Sequence, residues 1–188
     1  MKNKSFLLAL ALVAGSLAFQ NCAKDPEPTP APAAAPTLYE RVGGTKMVAD
    51  PNNPGQMIET GRLTLRSVVD SAIFVIAGDT SMTRFFPVLL GEVGRGDLSG
   101  FNALSKSFTD FLCVATGSKN FTYTGLNMVD AHDPAKNNRM GEKAGNTDFN
   151  NFVTDVGVAL GKNGVTDQKL IGDLVALLET TRSAVVQK

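Results

Sequence analysis

"FNALSKSFTDFLCVATGS", residues 101–118, carries the first decision about the fold. Its apolar side chains Phe101, Leu104, Phe108, Phe111, Leu112 and Ala115 recur at steps of one to four residues that keep them on one helical face. Gly117 follows as a C-terminal breaker. A half-buried strand would need strict alternation, which this run lacks. The stretch predicts an amphipathic helix that ends at Gly117.

The same spacing recurs on both sides of it. Leu65, Val68, Val69, Ala72, Ile73 and Ile76 form one stripe. Phe149, Phe152, Val153, Val156 and Leu160 form another, opened by Asn146 or Thr147 as a cap and closed near Gly164. A last stripe, Leu170, Leu174, Leu177, Leu178, Thr181 and Val185, follows the candidate caps Thr166 and Asp167. A short helix is expected over Leu38 to Val42. Breaker-rich segments separate these runs: "GGTKMVADPNNPGQMIETG" (43–61), "VGRGD" (93–97) and "HDPAKNNRMGEKAGN" (132–146). No run alternates with period two and no internal repeat is present, so the expected fold class is all-α on four main helices. Asp155 and Arg182 fall on faces read as solvated.

The front of the chain is of another kind. "MKNKSFLLALALVAGSLAFQNC" (1–22) has two early lysines, an apolar run from Phe6 to Ala18, then small and polar residues. That is the order of an export signal, assigned to residues 1–21, and the run is too short to span a bilayer comfortably. Cleavage after Ala18 satisfies the small-residue rule; alternatively Cys22 carries a lipid. The following "AKDPEPTPAPAAAPT" cannot pack a core, and residues 22–36 read as a semi-rigid Pro/Ala-rich tether. A spacer of this kind favours a membrane-anchored lipoprotein, periplasmic or at the cell surface, over a freely secreted protein. The globular domain is then 37–188.

Composition removes several classes of function. Lys+Arg and Asp+Glu both number 18, and no basic stripe is present, which argues against a nucleic-acid partner. With Cys22 assigned to the leader, Cys113 is left without a partner, so no disulfide framework is available. There is no zinc-type His/Cys spacing, no G-x-S-x-G elbow and no phosphate-binding G-x-x-x-x-G-K-[ST] loop. Arg95-Gly96-Asp97 matches an adhesion tripeptide, a match too short to carry weight.

One histidine, His132, stands in the whole chain, at the end of "YTGLNMVDAH" (123–132). A single neutral imidazole suffices as an axial ligand for haem iron if the sixth position is left to a gas. The 11 phenylalanines suit the flat apolar slot a porphyrin needs. On the residues alone, a loop or exposed histidine and a plain phenylalanine core are the commoner readings and remain open.

The ordered segments "LYERVGG" (38–44), "RFFP" (84–87), "LSKSFTDFLCVATGS" (104–118), "YTGLNMVDAH" and "DFNNFVTDVGVAL" (148–160) together resemble a group I truncated haemoglobin. The resemblance spans essentially the whole domain. It implies a two-over-two helical globin holding haem b without a covalent link, since no C-x-x-C-H is present. It places the iron ligand on His132 and macrocycle packing on Phe86, Met128, Phe149 and Phe152. Where many members of that family carry a tyrosine and a glutamine that donate to a bound gas, this chain has Ile73 and Phe108, with Leu104 beside them. All three are apolar. A hydrogen bond of that kind contributes roughly 1.5–3 kcal/mol, so its loss is expected to speed oxygen release by about tenfold or more. Ser105, Ser107 and Lys106 are the polar groups near enough in sequence to alter this. Two insertions, around Pro51–Gly61 and Asp133–Gly145, lengthen the domain, and the second follows His132 directly.

The resemblance implies reversible binding of O2, CO or NO by an oxygen-carrying or gas-sensing globin with no catalytic residue. An enzyme that consumes nitric oxide, requiring an external reductase, is the first alternative. A surface lipoprotein that keeps only the globin shell, without haem, is the second.

Overall fold

Thr37 and Glu40 cap each other at the start of the domain. The Thr37 Oγ accepts the Glu40 N–H at 3.1 Å, and the Glu40 carboxylate accepts the Thr37 N–H at 2.6 Å. Helix α1 (Leu38–Arg41) follows and buries Tyr39. The computed structural model describes residues 34–188. The export signal, Cys22 and the tether through residue 33 lie outside the described residues.

A first correction concerns 43–61. Strand β1 (Met47–Ala49) pairs antiparallel with β2 (Met57–Glu59), Val48 opposite Ile58. The domain is therefore not purely helical. Each strand is three residues long, too short to show alternation, and only Ile58 is buried. The loop between them is organised by Asp50, which accepts the Asn52 N–H and the Asn53 amide and is gripped at both oxygens by Arg66.

Helix α2 (Thr60–Gly78) buries Leu65, Val68, Val69, Ala72, Ile73 and Ile76, the whole stripe read from the sequence. Gly61 is required at its start, since a Cβ there would lie 2.9 Å from the Tyr39 ring and 3.0 Å from the Gly44 backbone. After a 3-10 turn at Thr83–Phe85, helix α3 (Pro87–Gly94) opens on a proline whose missing N–H would have no partner anyway. Helix α4 (Ser99–Ala115) is introduced by Asp97, which accepts the Ser99 N–H at 2.9 Å. The Arg95-Gly96-Asp97 tripeptide is thus a helix-entry loop. Gly117, at φ +100°, ends the helix where expected.

Helix α5 (Met128–Ala131) is a single turn capped by Asn127. Helix α6 (Asn146–Lys162) begins one residue earlier than its expected caps allow. Gly145 is the cap, its N–H taken by Asp148 at 2.8 Å. Asp167 caps α7 (Gln168–Glu179), accepting from Lys169 and Leu170. The last stripe then breaks, because the Thr180 and Thr181 hydroxyls bond back to the Leu177 and Leu178 carbonyls. Helix α8 (Arg182–Val185) completes the chain path.

Helix α2 packs against both α4 and α6, and α6 against α7, giving two helix pairs laid one over the other. The core between them contains Val69, Ala159 and the free thiol of Cys113, all fully excluded from solvent. Asp155 is not on a solvated face: it is 8% exposed. Arg182 lies partly covered, with its guanidinium 4.3 Å from the centre of the Phe149 ring.

Candidate cofactor-binding site

One mostly apolar cavity of about 290 Å³ collects every pocket residue named from the sequence: His132, Phe86, Met128, Phe149, Phe152, Ile73, Leu104 and Phe108. Each element contributes by its period. Leu104, Ser107, Phe108 and Phe111 face it from α4, one stripe at steps of three and four. Ile73 and Ile76 enter from α2, and Phe149 and Phe152 from α6. The Phe108 and Phe152 ring centres are 6.1 Å apart, and those of Phe152 and Phe149 are 5.9 Å apart. These three rings join α4 to α6 along the wall.

His132 sits at the C-terminal end of α5. Its Nδ1 lies 2.8 Å from the carbonyl oxygen of Met128. A carbonyl only accepts, so Nδ1 carries the proton and the neutral ring keeps its lone pair at Nε2. Nε2 has no hydrogen-bond partner among the described residues. Burial pushes the imidazole below its ordinary pKa, against the smaller opposite pull of the Met128 carbonyl. The ring is therefore neutral at pH 7, the form that binds a metal.

Most polar groups on the lining are already committed. The Tyr123 hydroxyl donates to Leu126 O at 2.6 Å, and Asn137 donates to Ala131 O at 2.8 Å. Burial alone would raise the Asp148 pKa; the Gly145 N–H and the Arg84 guanidinium more than offset this and hold it below the usual range. Ser105 turns away to Asp70, and the Lys106 ammonium pairs with Asp110 at 2.6 Å. Lys106 is thus not placed to reach the cavity, and of the nearby polar groups only Ser107 lines it.

This donor set fits a flat apolar prosthetic group whose metal takes one nitrogen. The wall is aromatic and aliphatic, and the one uncommitted ring nitrogen is supplied by a neutral imidazole. A larger cleft of about 800 Å³ under the β-hairpin does not fit such a group. Its arginines are committed to carboxylates, Arg62 to Asp110 at 2.6 Å and Arg66 to Asp50 at 2.7 Å.

Phe111, read from the sequence only as part of the helical stripe, and Ser107, named only as a nearby polar group, lie in register with Leu104 and Phe108 and line the cavity too. Asn137, Met140 and Ala144 come from the insertion after His132, where no periodicity marks a side chain as inward.

No family model and no curated protein matches the chain. Solved structures do. The Fe(III) form of the truncated haemoglobin from Tetrahymena pyriformis is 23% identical, with a TM-score of 0.58. Two point mutants of that protein, also in the Fe(III) form, give the same values. Each alignment covers 81% of this chain and 100% of the other. At this identity the likeness concerns the backbone: the domain has the truncated-haemoglobin fold.

Proposed function

We propose that the chain is a b-type haem protein that reversibly binds a diatomic gas, with His132 as the iron's protein ligand. The observation that carries this reading is the Met128 carbonyl on Nδ1 of His132, which leaves Nε2 free in an apolar cavity. Haem held there would supply an iron whose open position takes O2, CO or NO. The chain's own part is to present an imidazole of fixed tautomer, exclude water with Phe86, Phe149 and Phe152, and set ligand preference through Ile73, Leu104 and Phe108. Because these last three cannot donate a hydrogen bond, they favour the less polar gases relative to oxygen. The same dryness argues against the enzymatic alternative, which depends on retained oxygen and on an external reductase. Oxygen carriage or gas sensing is the reading adopted. Export and anchoring through a lipid on Cys22 are part of the proposal, on the strength of the leader and tether.

The test is the visible spectrum of the purified chain reconstituted with haemin, beside His132→Ala, in ferric, ferrous and CO-treated states. A Soret band near one haem per chain, lost or shifted in the variant, is the expected result. A chain that stays colourless would leave the haem-free shell as the surviving reading.

A further inference from the structure

Helix α5 is a single turn, and a turn of that length does not hold itself in water. It has to be fixed from outside if the His132 ring is to keep one orientation. The insertion at 133–145 does this.

We propose that Asn137 is the positioning residue of His132, held in place by an ion pair between Arg139 and Glu92. This inference rests on the haem reading for its functional meaning, though not for its geometry. Both ends of the Asn137 side-chain amide are engaged. Its Nδ2 donates to Ala131 O at 2.8 Å, satisfying the carbonyl immediately before His132. Its Oδ1 accepts the Arg139 N–H at 3.2 Å, and its own N–H bonds to Asp133 O at 2.8 Å. One side chain therefore ties the end of α5 to the loop that follows it.

The loop in turn is fastened to α3. Both terminal nitrogens of Arg139 meet the Glu92 carboxylate on α3, at 3.0 and 2.5 Å. The pair packs on Gly100, where any Cβ would collide with both side chains. Two residues on, the Gly141 N–H bonds to Phe85 O at 3.0 Å. The segment thus runs from the histidine to α3 and the start of α4, so the setting of the ring depends on contacts made outside its own helix.

The experiment uses the full chain with haemin as probe and compares Asn137→Ala, Asn137→Asp and Arg139→Ala with the parent. Asn137→Asp keeps an acceptor for the Arg139 N–H but cannot donate to Ala131, so it isolates the Nδ2 donor. Haem transfer to an excess of a scavenging apoprotein should be roughly tenfold faster in both Asn137 variants, the scale of losing an outer partner of a metal ligand. The iron–histidine stretch of the ferrous protein should shift or broaden. Arg139→Ala should show a smaller change in the same direction. A readout independent of haem is amide exchange at Ala131–Asp133 in the cofactor-free chain, which should quicken in all three variants. Unchanged transfer rate, stretch and exchange in Asn137→Asp would overturn the proposal. A parent chain that takes up no haem would overturn the functional reading instead, and the exchange data would still decide whether Asn137 positions His132.

Discussion

Ser105 donates its hydroxyl to Oδ1 of Asp70, joining α4 to α2 on the side away from the cavity. The finding separates the two serines of this helix: Ser105 is structural, while Ser107 lines the cavity two residues on. It also means that the three side chains proposed to set gas preference, Ile73, Leu104 and Phe108, have no hydroxyl from Ser105 among them. Installing a donor there should change the chemistry. Leu104→Gln or Phe108→Gln is expected to slow oxygen release by about tenfold, since a donor of roughly 1.5 kcal/mol corresponds to one decade. Carbon monoxide release should move much less. Stopped-flow ligand replacement measures both, and equal effects on the two gases would contradict the expectation.

The ion pair of Arg66 with Asp50 predicts an acid-sensitive hairpin. Hydrogen bonds from Arg66, then from Asn53, hold the Asp50 carboxyl far below its ordinary range. The folded value lies below the unfolded one, so the unfolded chain binds more protons as pH falls. The associated stability is present above about pH 4, the unfolded carboxylate value, and fades below it. Asp50→Asn should therefore lower the melting temperature at pH 6 and flatten its decline between pH 6 and pH 3. Parallel curves for variant and parent would count against this.

Asp155 predicts the opposite slope. Burial first, and the charge of Asp79 second, raise its pKa, and its Oδ2 has no hydrogen-bond partner. With the folded value above the unfolded one, its protonated form supports the fold at low pH, and that support is lost as pH rises through the raised value. Asp155→Asn keeps the shape and removes the charge. A gain of about 1 kcal/mol at pH 7, shrinking towards pH 4, is expected from urea titrations, the scale of an unsatisfied buried polar group.

Phe149 should report on core and cavity together. It is 1% exposed, touches the cavity on one side and carries the Arg182 guanidinium on another. Phe149→Ala is expected to cost about 3–5 kcal/mol. Arg182→Ala, which removes the stacked cation together with its bonds to Glu179, Asn146 and Asn150, should cost less, about 1–2 kcal/mol. A Phe149 variant as stable as the parent would mean that the wall collapses to fill the space.

The long helices were legible because each buries one face for three or more turns, long enough for a period to show. The α2 stripe was buried residue for residue, and Gly117 stopped α4 as its conformational freedom suggests. Shorter pieces escaped. Three-residue strands and the eight-residue α3 carry too few positions to reveal a pattern, and their placement depends on Arg66 and Pro87. Asp155 was misread because charge normally marks a solvated face. Here α6 packs on α2 around it, and no local pattern encodes that contact. For the site, His132 and the phenylalanines were recognisable by kind and order. Asn137 was not, since its role is set by folding the insertion back on α5.

The thiol of Cys113 has a practical consequence. It is fully buried between α2 and α4, and burial pushes its pKa up to about 11, against the pull of Arg62. In the native domain it is both shielded and protonated, hence inert to alkylating reagents. Labelling there has to wait for the core to open, so modification of Cys113, located by peptide mass, works as a clock for opening events. Run with and without haemin, that clock would time how long the domain stays shut, with no optical signal from the cofactor required.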